Sequence, residues 1–362
     1  MAVTVKKHTM KVAIIGLGRI GKNVCLHLLE QGVQVIAYNR SRDDVDEVVA
    51  KGAVGAYSLE DILRKNNHAA LDLSASPRDD NKIVVLLYVP AKVVDEVLFG
   101  NSSASSWRES YSAGRPIGSQ KDAIATLQHD EAHGLIDILP TGTIIIDGGN
   151  SFFKDSQRRY QQLKTKGLHF LDMGTSGGIE GARNGACLMV GGDKQIYEQV
   201  APLLAKISTK DGYGYVGPSG AGHFVKMIHN AVEYGMMGAI AEGLGLLAGS
   251  GKGKGESSAE FEFDLKKIAK IWAHGSIVSG HLMNMMRQAL EKDPELKDLS
   301  GEVPKGETES EMEWLETLGQ PMPVISAARQ ERVTSRKNPS FIGKVIAALR
   351  REFGGHSVVD RK

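Results

Sequence analysis

The residues best equipped for chemistry lie in one block, GPSGAGHFVKMIHNAVEYG, from Gly217 to Gly235. If the block is helical, Lys226, His229, Asn230, Glu233 and Tyr234 fall at i, i+3, i+4, i+7 and i+8, on one stripe. An amine, an imidazole, an amide, a carboxylate and a phenol on one face supply a general base, a general acid and several hydrogen-bonding groups. Val225, Met227, Ile228 and Val232 between them are apolar and are expected to face a core. A polar stripe on a helix so buried has to look into a cleft, because unpaired buried polar groups are costly. The bland alternative is a surface stripe with a solvated Lys–Glu pair. Seven residues of helix set Lys226 and Glu233 about 10 Å apart at Cα, from where long side chains can converge on a three-carbon unit. A lysine is a base only when neutral, so burial or a nearby cation has to lower its pKa.

Elements must hold this stripe beside something reactive. The stretch Lys11 to Ile15 reads as a buried strand, and Gly16, Gly18 and Gly21 follow it as GLGRIG, opening a helix with Arg19 and Ile20 that runs to Glu30. Strand, glycine turn and helix form the setting of a dinucleotide fingerprint, with helix N–H groups for the pyrophosphate. Val33 to Asn39 is a second strand, ending in Asn39, Arg40 and Ser41 where an NAD site would carry an acid. Without that carboxylate, and with the Arg40 fork at hand, NADP is favoured over NAD. Strands are expected also at Lys82 to Val89 and Thr143 to Asp147, and a helix near Ser58 to Arg64. Strands alternating with helices predict a doubly wound, mostly parallel α/β sheet, a Rossmann domain. Two further strand ends, Asp147 into Gly148-Gly149-Asn150-Ser151 and Asp172 into Ser176-Gly177-Gly178, offer glycine turns to a carboxylate or hydroxyl.

After Asp172 no strand alternates with the helical stretches Tyr197 to Ile207, Ala221 to Ala248, Phe261 to Ala273, Ser276 to Leu290 and Phe341 to Phe353. The expected division is a Rossmann domain over 1–190 and an all-α domain over 191–362. Residues 101–133, Ser- and Gly-rich at their start, read as a flexible insertion, and Gly251 to Ser258 as a loop with solvated lysines. The 362 residues allow about two domains. Lys+Arg 44 against Asp+Glu 43 gives no basic excess for nucleic acid. No apolar run suits a membrane span, and MAVTVKKHTM lacks the apolar region of a signal peptide. Two cysteines, Cys25 and Cys187, support no disulfide framework and fit a reducing, cytoplasmic compartment.

Taken together, GLGRIG, DGGNSFFKDSQRR, DMGTSGGIEGARNGACLMVGG, GAGHFVKMIHNAVEYG and the terminal LRREFGGH resemble the short form of the decarboxylating 6-phosphogluconate dehydrogenases, within the β-hydroxyacid dehydrogenase group. The resemblance implies that Lys226 takes the 3-hydroxyl proton while hydride leaves C3 for NADP. The β-keto acid then loses CO₂ without a metal, and Glu233 protonates C1 to give ribulose 5-phosphate. It implies that Asn150, Ser176, Gly177, Gly178, His229 and Asn230 hold the carboxylate and hydroxyls of a sugar-acid phosphate, and that Tyr234 reaches its phosphate. Arg350 and His356 match a C-terminal pair that a partner subunit inserts, so a homo-oligomer through the helical domain is implied; the last helix is expected to stop at Gly354-Gly355 and present His356. Gly16, Gly18, Arg19, Ile20, Gly21, Asn39, Arg40, Ser41, Val89, Pro90 and Asn150 fall to the cofactor. The chain departs from the family at Lys92 after Val89-Pro90-Ala91, at Ser279 where many members have a phosphate-binding arginine, and at Glu309 in place of another. Two other readings follow from these departures: a dehydrogenase of a different 3-hydroxy acid, and a non-catalytic NADPH-binding regulator.

Overall fold

The computed structural model describes residues 11–66, 83–100, 133–249, 261–306 and 308–360. The expected insertion, apart from His133, and the Gly251 to Ser258 loop lie outside the described residues. The chain divides into two compact units, residues 1–226 and 227–362.

The first unit is built on eight strands: β1 (Lys11–Ile15), β2 (Val35–Tyr38), β3 (Val54–Ala56), β4 (Ile83–Leu87), β5 (Ile144–Asp147), β6 (His169–Ser176), β7 (Ala186–Gly192) and β8 (Ser208–Gly217). They lie in the order β3-β2-β1-β4-β5-β6-β7-β8. The first six in that order run parallel, β7 is antiparallel to β6, and β8 is parallel to β7. Strands β1, β4 and β5 are near-continuous runs of Val, Ile, Leu and Ala because both faces of the sheet are covered. Alternate residues divide between two cores. Val12, Ile14, Val84, Leu86 and Ile146 pack on one face with α1 (Arg19–Glu30) and α8 (Lys194–Ile207). Ala13, Ile15, Val85, Leu87 and Ile145 pack on the other with α3 (Leu59–Asn66), α4 (Val94–Phe99), α5 (Leu135–Ile138) and α6 (Phe153–Lys164). Helices α2 (Arg42–Val49) and α7 (Gly178–Asn184) complete the unit.

The division after residue 190 expected from the sequence falls inside β7: β7 and β8 belong to the sheet, α8 packs on it, and the first unit runs to Lys226. The edge strand β8, STKDGYGYVG, is half-exposed and polar, so it carries no apolar alternation to betray it.

The second unit is helical. It holds most of α9 (Ala221–Gly249), then α10 (Leu265–Trp272), α11 (His281–Lys292), α12 (Thr308–Glu316), α13 (Pro323–Ser335) and α14 (Phe341–Gly354). Met237, Ala241 and Leu244 of α9 pack with Met283, Met286 and Ala289 of α11 and Val345, Ile346 and Leu349 of α14. Helix α14 stops as expected, capped by Gly355 in the left-handed region (φ 55°). Among the described residues no helix is long and apolar enough to cross a membrane.

Helix α9 starts inside the first unit, where it crosses β6 and β7 closely. A Cβ on Gly222 would come 2.6 Å from the Met189 carbonyl oxygen and nearer still to that of Asp172. The fully buried Asp172 carboxylate accepts the N–H groups of Gly220 (2.7 Å) and His223 (2.9 Å), which anchors the first turn. Gly222→Ala should therefore lower stability by about 1–3 kcal/mol through overpacking. Gly243→Ala, on the same helix with no atom within 4 Å of the added methyl, should raise it by up to about 1 kcal/mol. Thermal unfolding of the two variants checks this, and equal shifts would mean the crossing is not tight.

Candidate active site

The glycine turn is shaped for a phosphate. Gly16 has φ +97° and a Cβ there would strike Val89 Cγ1 at 2.8 Å, while one on Gly21 would overlap the Gly16 carbonyl. Gly18 faces open space as the N-cap of α1, with no side-chain cap and no acid in the first turn. Gly18 and Arg19 are exposed and Ile20 is half-buried, so the first-turn amides and the dipole are presented to an anion. This cradle fits the pyrophosphate of a dinucleotide. Asn39 Oδ1 accepts the Leu17 N–H (3.0 Å) and its Nδ2 donates to Asp44 (2.9 Å). It fastens the glycine turn to the end of β2. Arg40 and Ser41 stay exposed at that strand end.

The neighbouring strand ends converge. A Cβ on Gly149 would lie 3.0 Å from the Val89 carbonyl, and Thr175 Oγ1 donates to the Gly148 carbonyl (3.2 Å). These contacts join the turns after β4 and β5, which hold Val89, Pro90 and Asn150, to the end of β6. There Ser176 and Gly177 lead into Gly178, both glycines having positive φ (109° and 63°). Lys226 reaches the same strand: a Cβ on Gly174 would stand 3.2 Å from Lys226 Cγ and closer still to its Cβ. The amine is thus carried on a stem that packs two residues before Ser176.

Along α9 the burial runs opposite to that of a surface helix. On the polar stripe Lys226, His229 and Glu233 are half-buried, and Asn230 and Tyr234 are buried. On the other side Val225, Ile228, Val232 (51% exposed) and Met236 (52%) are open, and of the apolar residues expected to face a core only Met227 does so. The expectation for Val225, Ile228 and Val232 is corrected: amphipathy identifies two faces but not which of them a single chain covers.

In the helical unit the polar stripe meets a cluster that the sequence reading missed. Asn230 Nδ2 donates to Glu311 (3.2 Å), and the Tyr234 hydroxyl is 3.0 Å from Thr308 Oγ1. The Arg332 guanidinium lies over the Tyr234 ring, 3.3 Å from its centroid. Arg332 is only 4% exposed and its Nε is without a hydrogen-bond partner among the described residues. Arg350 is buried too, donates to the Pro304 carbonyl (2.8 Å) and feels Tyr234, Glu309 and Glu233 of its own chain. Burial pushes both guanidinium pKa values below the ordinary arginine value; for Arg332 the Arg350 charge adds to the fall. Two desolvated cations beside a phenol form a place for an anion. Glu309, the departure noted above, is bound to Arg336. Within its own chain the Arg350 side chain is buried. His356 is exposed beyond the αL cap, its ring edge-on to Phe353.

Residues 11–110 and 117–217 match the family model of the NAD binding domain of 6-phosphogluconate dehydrogenase, and residues 222–259 match that of its C-terminal domain. The chain belongs to the 6-phosphogluconate dehydrogenase family. YqeC of Bacillus subtilis, provisionally described as a 6-phosphogluconate dehydrogenase, is 37% identical over 96% of this chain and 99% of its own length. The NAD(+)-dependent, decarboxylating enzyme of Haloferax volcanii is 32% identical over 96% of this chain and 98% of its own. Among solved structures, Plasmodium falciparum 6-phosphogluconate dehydrogenase superposes with a TM-score of 0.65 at 25% identity, over 90% of this chain and 62% of that one. Longer relatives match in part; the decarboxylating enzyme of Bacillus licheniformis is 36% identical, with 41% of its length covered. The family is one of oxidoreductases with a nicotinamide cofactor.

Arg332 escaped the sequence reading because a lone arginine within a helix is ordinarily solvated. The one available signal was its place in an amphipathic helix, with Ala328 and Ser335 on the buried side. If the cluster takes an anion, inorganic phosphate should raise the unfolding temperature, and Arg332→Gln should abolish the rise. Equal rises in both proteins would remove Arg332 from anion binding.

Proposed function

We propose that this chain catalyses the oxidative decarboxylation of 6-phosphogluconate to ribulose 5-phosphate and CO₂ with NADP as the hydride acceptor. The observation that carries the proposal is the stripe on α9: Lys226, Glu233 and Tyr234 occupy its covered face, and Tyr234 is stacked under a desolvated guanidinium. An amine, an acid and an anion pocket in that order along one helix suit a substrate with a carboxylate at one end and a phosphate at the other.

The glycine turn and the α1 N-terminus would hold the dinucleotide phosphates, and Val89, Pro90 and Asn150 would border the nicotinamide. The nicotinamide, when bound, accepts hydride at its C4. Lys226, neutral, takes the proton of the 3-hydroxyl as the C3–H bond breaks and the C3 carbonyl forms. That carbonyl receives the electron pair released when the C1–C2 bond breaks and CO₂ departs. Glu233, protonated, returns a proton to the carbon that lost CO₂. Ser176, Gly177, Gly178, His229 and Asn230 orient the carboxylate and hydroxyls, and Tyr234, Arg332 and Arg350 hold the phosphate. Arg40, exposed at the β2 end where an NAD site would carry an acid, supports NADP; the NAD(+)-dependent Haloferax relative keeps NAD in the test. The open apolar row Val225, Ile228, Val232 and Met236 supports self-association through the helical domain, which would let His356 reach a second copy. The unpaired thiols Cys25 and Cys187 support a reducing, cytoplasmic setting.

A second reading, oxidation of a non-phosphorylated 3-hydroxy acid, draws on Ser279 and Glu309 standing where arginines were expected. Steady-state kinetics with 6-phosphogluconate, gluconate and 3-hydroxyisobutyrate, with CO₂ release followed, decides between them. Turnover confined to a non-phosphorylated acid would overturn the leading reading, and cofactor binding without any turnover would leave only a regulator. Lys226→Ala should lower kcat by about a thousandfold while NADPH binding is retained; an unchanged kcat would remove the general base. Arg40→Asp should shift the NADP-to-NAD preference by about tenfold or more toward NAD, and an unaltered ratio would make Arg40 a bystander.

A further inference from the structure

The block DGGNSFFKDSQRR ends in two arginines to which the reaction above gives no part, and the structure separates them sharply. Arg158 lies on the half-exposed side of α6 and pairs with Asp95 (2.6 Å). Arg159 is among the largest fully buried side chains in the chain. Its guanidinium reaches three segments at once. Nε donates to Asp95 Oδ1 of α4 (2.8 Å), and Nη2 donates to the Ala91 carbonyl in the turn after β4 (3.3 Å). Nη1 donates to Ser151 Oγ (2.9 Å) and Asp147 Oδ2 (3.3 Å), on either side of Asn150 in the turn after β5. Asp147, itself fully buried, closes that turn: Oδ1 accepts the Gly149 N–H (3.1 Å) and Oδ2 accepts the Ser151 hydroxyl (2.7 Å).

One planar fork therefore ties the Val89-Pro90-Ala91 turn to the Gly148-Gly149-Asn150 turn. Neither turn is held to the other by strand pairing, which ends at Leu87 and Asp147. We infer that Arg159 is a positioning residue that sets the spacing of these two turns, and so the approach of the substrate C3 hydrogen to the nicotinamide. The inference rests on the reading that these turns border the cofactor and the substrate. Its physical basis is that hydride transfer is steeply sensitive to displacement, whereas binding, spread over many contacts, is not. A lysine cannot replace the fork. Its ammonium is a point charge on a flexible stem and cannot serve four acceptors around a plane.

The test compares Arg159→Lys with Arg158→Gln. Both lose a bond to Asp95, but Arg158 also bonds along its own helix, to Asp155 and Gln162, whereas Arg159 bonds to the two turns. Arg159→Lys should fold, bind NADPH with essentially the wild-type Kd, and lose between about tenfold and about a hundredfold in kcat. With substrate deuterated at C3, its isotope effect on kcat should exceed that of the wild type, because hydride transfer has become the slow step. Arg158→Gln should keep the wild-type kcat and isotope effect. A kcat in Arg159→Lys within the wild-type range, or a fall matched by Arg158→Gln with no change in isotope effect, would make Arg159 a purely structural residue and overturn the inference. Should the wild type oxidise a different 3-hydroxy acid, the functional reading falls, yet the same comparison on that acid still decides the role of Arg159. Absence of turnover of any such acid in the wild type would overturn both.

Discussion

The close crossing of α9 over β6 and β7 is the constraint on which the candidate site depends. A helix normally stands about 10 Å from a sheet, separated by side chains on both. Here Gly174, Gly191 and Gly222 remove those side chains: a Cβ on Gly191 would meet the Gly222 nitrogen at 2.6 Å and Asp172 Oδ1 at 2.8 Å. The approach buries helix N–H groups that have no intrahelical acceptor, and Asp172 satisfies two of them from inside the sheet. A second tie comes from His223, whose Nδ1 is 2.7 Å from Ser156 Oγ on α6. Position and rotation of the first turn are thus fixed on two sides, and Lys226, one turn further along, is carried against β6 as a consequence.

Fixing the start of α9 also fixes what its length can do. The polar stripe runs from Lys226 to Tyr234 within one helix, so an amine, a carboxylate and a phenol follow one another at helical spacing. Covering that stripe rather than the apolar one is the less economical choice for a single chain, since half-buried polar groups must each find partners. Asn230 and Tyr234 find theirs in Glu311 and Thr308. The apolar side, with Val225, Ile228, Val232 and Met236, stays open.

The N-terminal half of the fold was legible in the sequence because its signals are local. Strands β1, β4 and β5 are uninterrupted apolar runs, and GLGRIG can do little else between a strand and a helix. The strands β7 and β8 were not legible. In ACLMVGG and STKDGYGYVG the glycines and the polar edge remove the periodicity on which strand recognition relies, and β8 is held by pairing with β7. Helices α12 and α13 were missed for a related reason, being polar and acidic or carrying arginines turned inward. The chemistry-bearing residues of α9 were legible because helical spacing alone groups them. Arg332, Arg159 and Asp172 were not, because a buried charge is defined by partners distant in the chain.

The departures at Ser279 and Glu309 bear differently on the anion site once the partners are known. A carboxylate among arginines would ordinarily weaken an anion site by its charge. Glu309 is nearly fully buried and bound to Arg336, so it is neutralised locally. Arg350 donates to a carbonyl, and Arg332 to a thioether with its guanidinium over the Tyr234 ring. Cations desolvated to this degree are costly unless an anion completes them. Glu233 contributes one negative charge within the field of both. Two desolvated guanidinium groups suit a dianionic phosphate as well as they suit a carboxylate, so the replacement of the expected arginines does not by itself argue for a non-phosphorylated substrate.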